Sequence, residues 1–145
     1  MDEDKKISAV IIFEALGKPQ EHLVEFLKDI VKRLGEEKGV KVIRENTGEP
    51  ILAKGQKELY TSFLELDLEF DRIGILTAIL FKYMPAHVDI SYPEKLIMSH
   101  GDWNEVSNEI LRRLHAYDEM VRVMQIERAV LENKLKDVLS KTKKD

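Results

Sequence analysis

The most constraining feature of the 145-residue chain is its carboxy-terminal segment, in which no proline or glycine follows Gly101. One apolar column recurs there at every seventh position and consists of Trp103, Ile110, Tyr117, Met124, Leu131 and Val138. A second column consists of Leu114, Val121 and Leu135 and is interrupted by Arg128. A seven-residue apolar repeat is typical of a helix that packs along another helix. Residues 101–145 are therefore predicted to form a long amphipathic helix.

This helix would be longer than the domain that precedes it. From Asp102 to Leu139 it spans roughly 57 Å by the rise per residue of an α-helix, whereas a domain of about 100 residues is some 35 Å across. It must extend beyond the domain, bend near Tyr117, or pair with another chain. Pairing predicts a homo-oligomer, as a coiled coil or with the helix across a neighbouring subunit's sheet. The candidate interface residues are Tyr117, Met124, Leu131, Leu135 and Val138.

Residues 1–100 carry the signals of an α+β domain. Strands are predicted in four segments, at 6–16, 40–53, 59–70 and 88–92, and the second of these is weak and interrupted. Helices are predicted after Pro19 and after Asp71, which is a good N-cap residue. The order β-α-β-β-α-β predicts a ferredoxin-like sandwich, a four-stranded antiparallel sheet with two helices on one face. The carboxy-terminal helix follows it, packed on this domain, on a partner subunit, or on both.

Composition excludes several classes of function. The chain has no cysteine, which rules out disulfides, thiolate catalysis and cysteine zinc sites. Its formal net charge of -4 gives no general attraction for nucleic acid. We find neither a signal peptide nor an apolar run long enough to cross a bilayer, so we expect a cytoplasmic protein without membrane contact. Abundant Lys and Glu with few Asn and Gln indicate a thermophilic source.

Three carboxylates are weak candidates for a metal site. Glu65, Asp67 and Glu69 alternate with leucines, so they share one face of a strand at a spacing of about 7 Å. They have the oxygen ligands that a divalent cation prefers. The alternative, which the residues favour, is a solvated face with Lys41 or Arg44 as ion-pair partners. An acidic sheet face also argues against RNA binding.

His87 and Asp89 are weak candidates for ligand binding or acid–base chemistry, because both lie on one face of the fourth strand. The alternative is structural, since FKYMPAHVDISYPEKL also reads as a helix end, a proline stop and a strand start. No nucleophile–base motif and no phosphate-binding loop occurs in the sequence. We therefore predict no catalytic residue and no cofactor.

The segments IIFEALGKP, FLELDLEF and ILFKYMPAHVDISYPEKL, followed by a long charged helix, resemble those of a family of small uncharacterised archaeal proteins. The resemblance implies an archaeal source and the fold predicted above, and it assigns no functional residue.

Three hypotheses of function follow from these residues. The first is a self-associating interaction module without enzymatic activity, since the carboxy-terminal helix carries surplus apolar surface. The second is a regulatory domain that binds a small ligand or a divalent metal. The third is an enzyme that uses His87 with Asp89 or the acidic strand face. A ferredoxin-like fold cannot choose among them, because one fold hosts many functions.

Overall fold

A computed structural model describes residues 6–144 of the chain and has an α+β fold, with a five-stranded antiparallel sheet and three helices. The elements in chain order are β1 (Ile7–Gly17), α1 (Gln20–Glu36), β2 (Val40–Thr47), β3 (Ile51–Leu52), β4 (Tyr60–Phe70), α2 (Ile73–Tyr83), β5 (His87–Tyr92) and α3 (His100–Thr142). The described residues divide into two compact units, one ending at Val106 and the other beginning at Ser107.

The sheet has the strand order β2-β4-β1-β5, and β3 pairs with the start of β4. The two central strands pair along their full length, with Ile11 opposite Leu66. Both central strands are rich in β-branched and large apolar residues, which favour a pleated surface that is at least half buried. β1 and β4 are therefore the two central strands of the sheet.

One face of the sheet carries the core. Alternate residues of β1 and β4 point to it, and they pack with the apolar stripes of α1 and α2. Leu27, Leu66 and Leu76 are among its fully buried side chains. On the opposite face, Val10 and Ile12 are only partly buried. The core of this unit thus lies between the sheet and the first two helices.

The predicted second strand is divided into two, which gives the sheet five strands where four were expected. β2 ends at Thr47 and β3 begins at Ile51, beyond Gly48 and Pro50. Pro50 has no N–H to donate to a strand ladder, which accounts for the interruption. Gly48 lies against the ring of Phe63, so a larger residue at this position would displace that half-exposed ring.

α1 begins directly after Pro19 as predicted, but the starts of α2 and α3 differ from those predicted. Asp71 does not cap α2, because the helix begins two residues later and Arg72 occupies the N-cap without a side-chain cap hydrogen bond. α3 begins at His100, ahead of the predicted Asp102. The Ser99 N–H donates to Asp102 Oδ2 over 2.8 Å, and the Asp102 N–H donates to Ser99 Oγ over 3.1 Å. Ser99 is therefore the N-cap of a reciprocal capping box.

α3 continues without a break through Tyr117 and comprises 43 residues. At the helical rise its length is about 65 Å. Within the described part of the chain, no helix has both the length and the apolar character that a membrane span requires.

Candidate functional site

An uncovered apolar surface of the described chain lies on the second unit. We define the α3 stripe as Leu114, Tyr117, Val121, Met124, Leu131, Leu135 and Val138. Every member is exposed, from 37% for Tyr117 to 65% for Leu131. Singly exposed apolar residues are common, but apolar stripes that stay uncovered over several helical turns are uncommon on monomers.

Charged pairs along the helix stabilise it and flank the stripe. Arg122 pairs with Asp118 at 2.9 Å, and Arg128 pairs with Glu132 at 2.8 Å. Pairs at a spacing of four residues stabilise an isolated helix by about 0.2–0.5 kcal/mol each. Arg128, which interrupts the stripe, therefore has its charge offset within its own helix.

A second apolar patch on α3 was missed by the sequence reasoning. Val123, Ile126 and Val130 are 48%, 66% and 46% exposed. Their spacing puts them together on a helix side other than that of the α3 stripe. The spacing of three and then four residues is visible in the sequence, but it lies outside the seven-residue columns from which the interface was predicted. The middle of α3 thus has apolar residues on two sides.

His87 and Asp89 lie on the sheet face away from the core. His87 stands opposite Ile12, and Asp89 stands opposite Val10, on the edge strand β5. Both side chains are exposed. Successive side chains on one face of a strand are about 7 Å apart. This separation is too large for a direct hydrogen bond between His87 and Asp89 unless the two side chains turn towards each other. His87 and Asp89 alone therefore do not form a binding or catalytic site.

The acidic residues of β4 lie on the same face, on the other side of β1. Glu65 also stands opposite Ile12, and Asp67 stands opposite Val10. Positions two strands apart are separated by about 10 Å, so Ile12 lies between Glu65 and His87. Among residues 6–144, no three His or carboxylate side chains form a group that could hold a metal ion.

Two of the three β4 carboxylates have cationic partners. Asp67 Oδ2 lies 2.9 Å from Arg44 Nε, and Glu69 Oε1 lies 3.1 Å from Lys6 Nζ. The remaining oxygen of Asp67, Oδ1, is buried without a hydrogen-bond partner. These carboxylates therefore bind separate cations of the chain and do not converge on one point.

A polar cluster that the sequence did not reveal joins the carboxyl ends of α1 and α2. The Tyr83 hydroxyl donates to Glu37 Oε1 over 2.7 Å, and Lys82 also donates to that oxygen. The hydrogen bond from Lys82 is the main reason that the pKa of Glu37 is lowered, with that from Tyr83 second. Burial, followed by the hydrogen bond to Glu37, raises the pKa of Tyr83 to about 12. Tyr83 is thus held protonated, which suits a structural tie and not a catalytic base.

The first unit also has an open cleft of about 360 Å³ beside the start of α3. Its lining comprises Ile7, Arg72, Ile73, Tyr92, Pro93, Lys95, Leu96, Ile97, Met98 and Asp102. Arg72 forms an ion pair with Glu105, so its charge is already offset. Lys95 provides a cationic group on the wall of this cleft.

Comparison with protein families gives one match, to the model described as the MJ0538 family, over residues 8–143. Comparison with curated proteins and with solved structures gives no significant match.

Proposed function

The chain belongs to the MJ0538 family, whose description names no activity, and we propose that it is a self-associating interaction module without enzymatic activity. The observation that carries this proposal is the exposed α3 stripe. Exposed stripes of this length are uncommon on monomers, because contiguous apolar surface favours association. The occupant that we propose is a second copy of the same chain.

The energy available from the α3 stripe supports association. Burying one large aliphatic side chain contributes roughly 1.5–3 kcal/mol. Met124, Leu131, Leu135 and Val138 are 58–65% exposed in the single chain, so burying the exposed part of these side chains in two copies would contribute about 7–14 kcal/mol. Association costs about 4–15 kcal/mol in lost freedom of motion. The gain and the cost are of similar size, so burial of the α3 stripe offsets a cost of this magnitude when two helices pair.

The edges of the sheet are less suited to self-association. β5 is short, carries His87 and Asp89, and lies between Pro85 and Pro93. β2, at the other edge, has an irregularity at Ile43 beside Arg44. Charges, prolines and bulges are the devices by which edge strands avoid pairing with other chains. The proposed interface is therefore on α3 and not at a sheet edge.

We also propose that the first unit is a ferredoxin-like sandwich. The support is the order β2-β4-β1-β5 and the single core that α1 and α2 share on one sheet face. β3 is then a two-residue addition to the edge. An experimental structure with a different strand order would contradict this assignment.

Light scattering on the full chain tests self-association. Leu131 and Leu135 are both changed to Glu, which puts two charges into the α3 stripe. We expect the wild type to have at least twice the 16.8 kDa mass of the chain, and the variant to be monomeric. The matched control changes Asn133 and Ser140 to Glu on another side of the same helix and adds the same charge. A wild type that is monomeric at tens of micromolar, or a control that dissociates equally, contradicts the proposal.

The cleft beside α3 favours a second candidate function, a regulatory domain that binds a small anionic ligand. Lys95 would attract the anion, while Tyr92 and Leu96 would contact its apolar part. Thermal unfolding in the presence of nucleotides and amino acids tests it. A ligand that raises the unfolding temperature of the wild type but not of Lys95→Ala would support this candidate.

A further inference from the structure

We propose that α3 pairs with α3 of a second copy in an antiparallel orientation, with Arg128 facing the partner's Leu131. This inference rests on the proposed self-association and specifies its geometry. The charges beside the α3 stripe and the position of Arg128 within it support this geometry.

The residues beside the stripe repel in a parallel, in-register pair. A seven-residue repeat that puts Arg128 at position a and Leu131 at position d puts Glu127 at g and Glu132 at e. In a parallel pair, Glu127 would face the partner's Glu132, because g and e residues of successive heptads meet across the interface. Arg128 would also face the partner's Arg128 in the same layer. Two kinds of like-charge contact would therefore oppose the parallel pair.

The antiparallel pair converts these contacts into attraction. Antiparallel helices bring the g residues of one copy beside the g residues of the other, so Glu127 faces the partner's Lys134 on both sides of the symmetry axis. The two Arg128 side chains fall in different layers. Each faces an apolar residue, and its long stem can cover that residue while its guanidinium stays with Glu132, 2.8 Å away in the same helix.

The same charges select one register. A shift of the antiparallel pair by one heptad in one direction places Glu127 opposite the partner's Glu127. A shift in the other direction places Lys134 opposite the partner's Lys134. In the proposed register, Val121 lies with the partner's Val138, and Met124 lies with the partner's Leu135. Apolar layers are thus kept on both sides of the two central layers that contain Arg128, and a polar core residue placed in this way fixes register.

Distances between spin labels test the orientation in the full chain. The chain has no cysteine, so Asn133→Cys and Ser140→Cys each place one label per copy on the outer side of α3. In the proposed pair the two labels are offset along the axis by about 10 Å at position 133 and by about 32 Å at position 140. We therefore expect the measured distance at 140 to exceed that at 133 by more than about 10 Å.

A charge reversal gives a second, independent readout. Glu127→Lys is expected to weaken association about five-fold or more, because it faces the partner's Lys134 in two symmetric contacts. Adding Lys134→Glu should restore it. In a parallel pair the single change would instead strengthen association, by facing the partner's Glu132. Equal label distances, or a Glu127→Lys chain that associates more tightly, would overturn the antiparallel pair and leave self-association standing. A monomeric wild type by light scattering would overturn both.

Discussion

Leu27 and Leu131 are the same residue type on the apolar stripes of two helices, yet their environments are opposite. Leu27 in α1 is 0% exposed and Leu131 in α3 is 65% exposed. The stripe of α1 meets the sheet of its own unit, where Leu27 joins Leu66 in the core. The stripe of α3 is uncovered. Helical periodicity thus predicts which side of a helix is apolar, but it does not tell what covers that side.

The comparison separates the free energy of folding from the free energy of association. In the first unit, buried apolar groups stabilise the fold of one chain, so their loss is measured by unfolding. In the second unit, apolar groups of the same size are proposed to stabilise contact between chains, so their loss is measured by association. Matched substitutions in the two helices should therefore have different consequences.

The largest expected effect is that of Leu27→Ala. Truncating a buried leucine lowers the free energy of unfolding by about 2–5 kcal/mol, because it leaves a cavity as well as losing burial. Denaturant unfolding of the sheet, followed at several protein concentrations, measures it. Leu131→Ala is the matched change in the other helix and should have a smaller effect on unfolding, which disappears on dilution as the wild type also dissociates. Equal, concentration-independent effects of the two changes would break the distinction between the helices.

A smaller effect is expected at the tie between α1 and α2. The pKa of Tyr83 is raised to about 12 from its usual 10, so the folded state holds this proton more tightly than the unfolded state. Its contribution to stability is complete below pH 10 and is lost as the pH rises through about 12. Tyr83→Phe should remove this part of the pH dependence of unfolding.

The ultraviolet titration of tyrosinate checks the same assignment directly. The chain has four tyrosines, and the Tyr83→Phe variant should lack the group that titrates late. Glu37→Gln should lower the pKa of Tyr83 without returning it to 10, since burial is the larger cause of its shift. A titration unchanged by either substitution would show that Tyr83 is not tied to Glu37.

The smallest effect is expected on the open face of the sheet. Changing Glu65, Asp67 and Glu69 together to Gln removes two exposed or half-exposed ion pairs, each worth about 0–1 kcal/mol. We expect a change in unfolding free energy below about 2 kcal/mol and no change in assembly. Calorimetric titration with Mg²⁺ or Ca²⁺ is the control. A bound ion that the triple change abolishes would restore the metal hypothesis.

The strands with strong apolar–polar alternation and the helices with long periodicity were predictable from the sequence. The leucines of β4 alternate with acids over most of the strand, and that pattern predicted both its position and its faces. β3 was not predicted as a separate strand, because Ile51 and Leu52 are too few to show a period. The N-cap at Ser99 was missed because Asp102, three residues later, is itself a strong cap residue.

Candidate sites were predictable from the sequence only where their residues are close neighbours in the chain. Register shows that His87 and Glu65 flank Ile12, which no sequence spacing reveals. The hydrogen bond between Glu37 and Tyr83 joins residues 46 apart, and neither residue has a local pattern that marks it. The patch of Val123, Ile126 and Val130 was visible at helical spacing. The thermophilic and archaeal source and the cytoplasmic location stay predictions.

Hydrogen exchange at two protein concentrations tests the central claim most directly, because it reports on both regions at once. An isolated helix is marginally stable in water and exchanges its amide hydrogens rapidly, whereas a helix paired through its apolar face is protected. The account predicts that residues 117–138 become more protected as concentration rises, while β5 does not change. Residues 117–138 that exchange at the same fast rate at both concentrations, or concentration-dependent protection confined to β5, would contradict it.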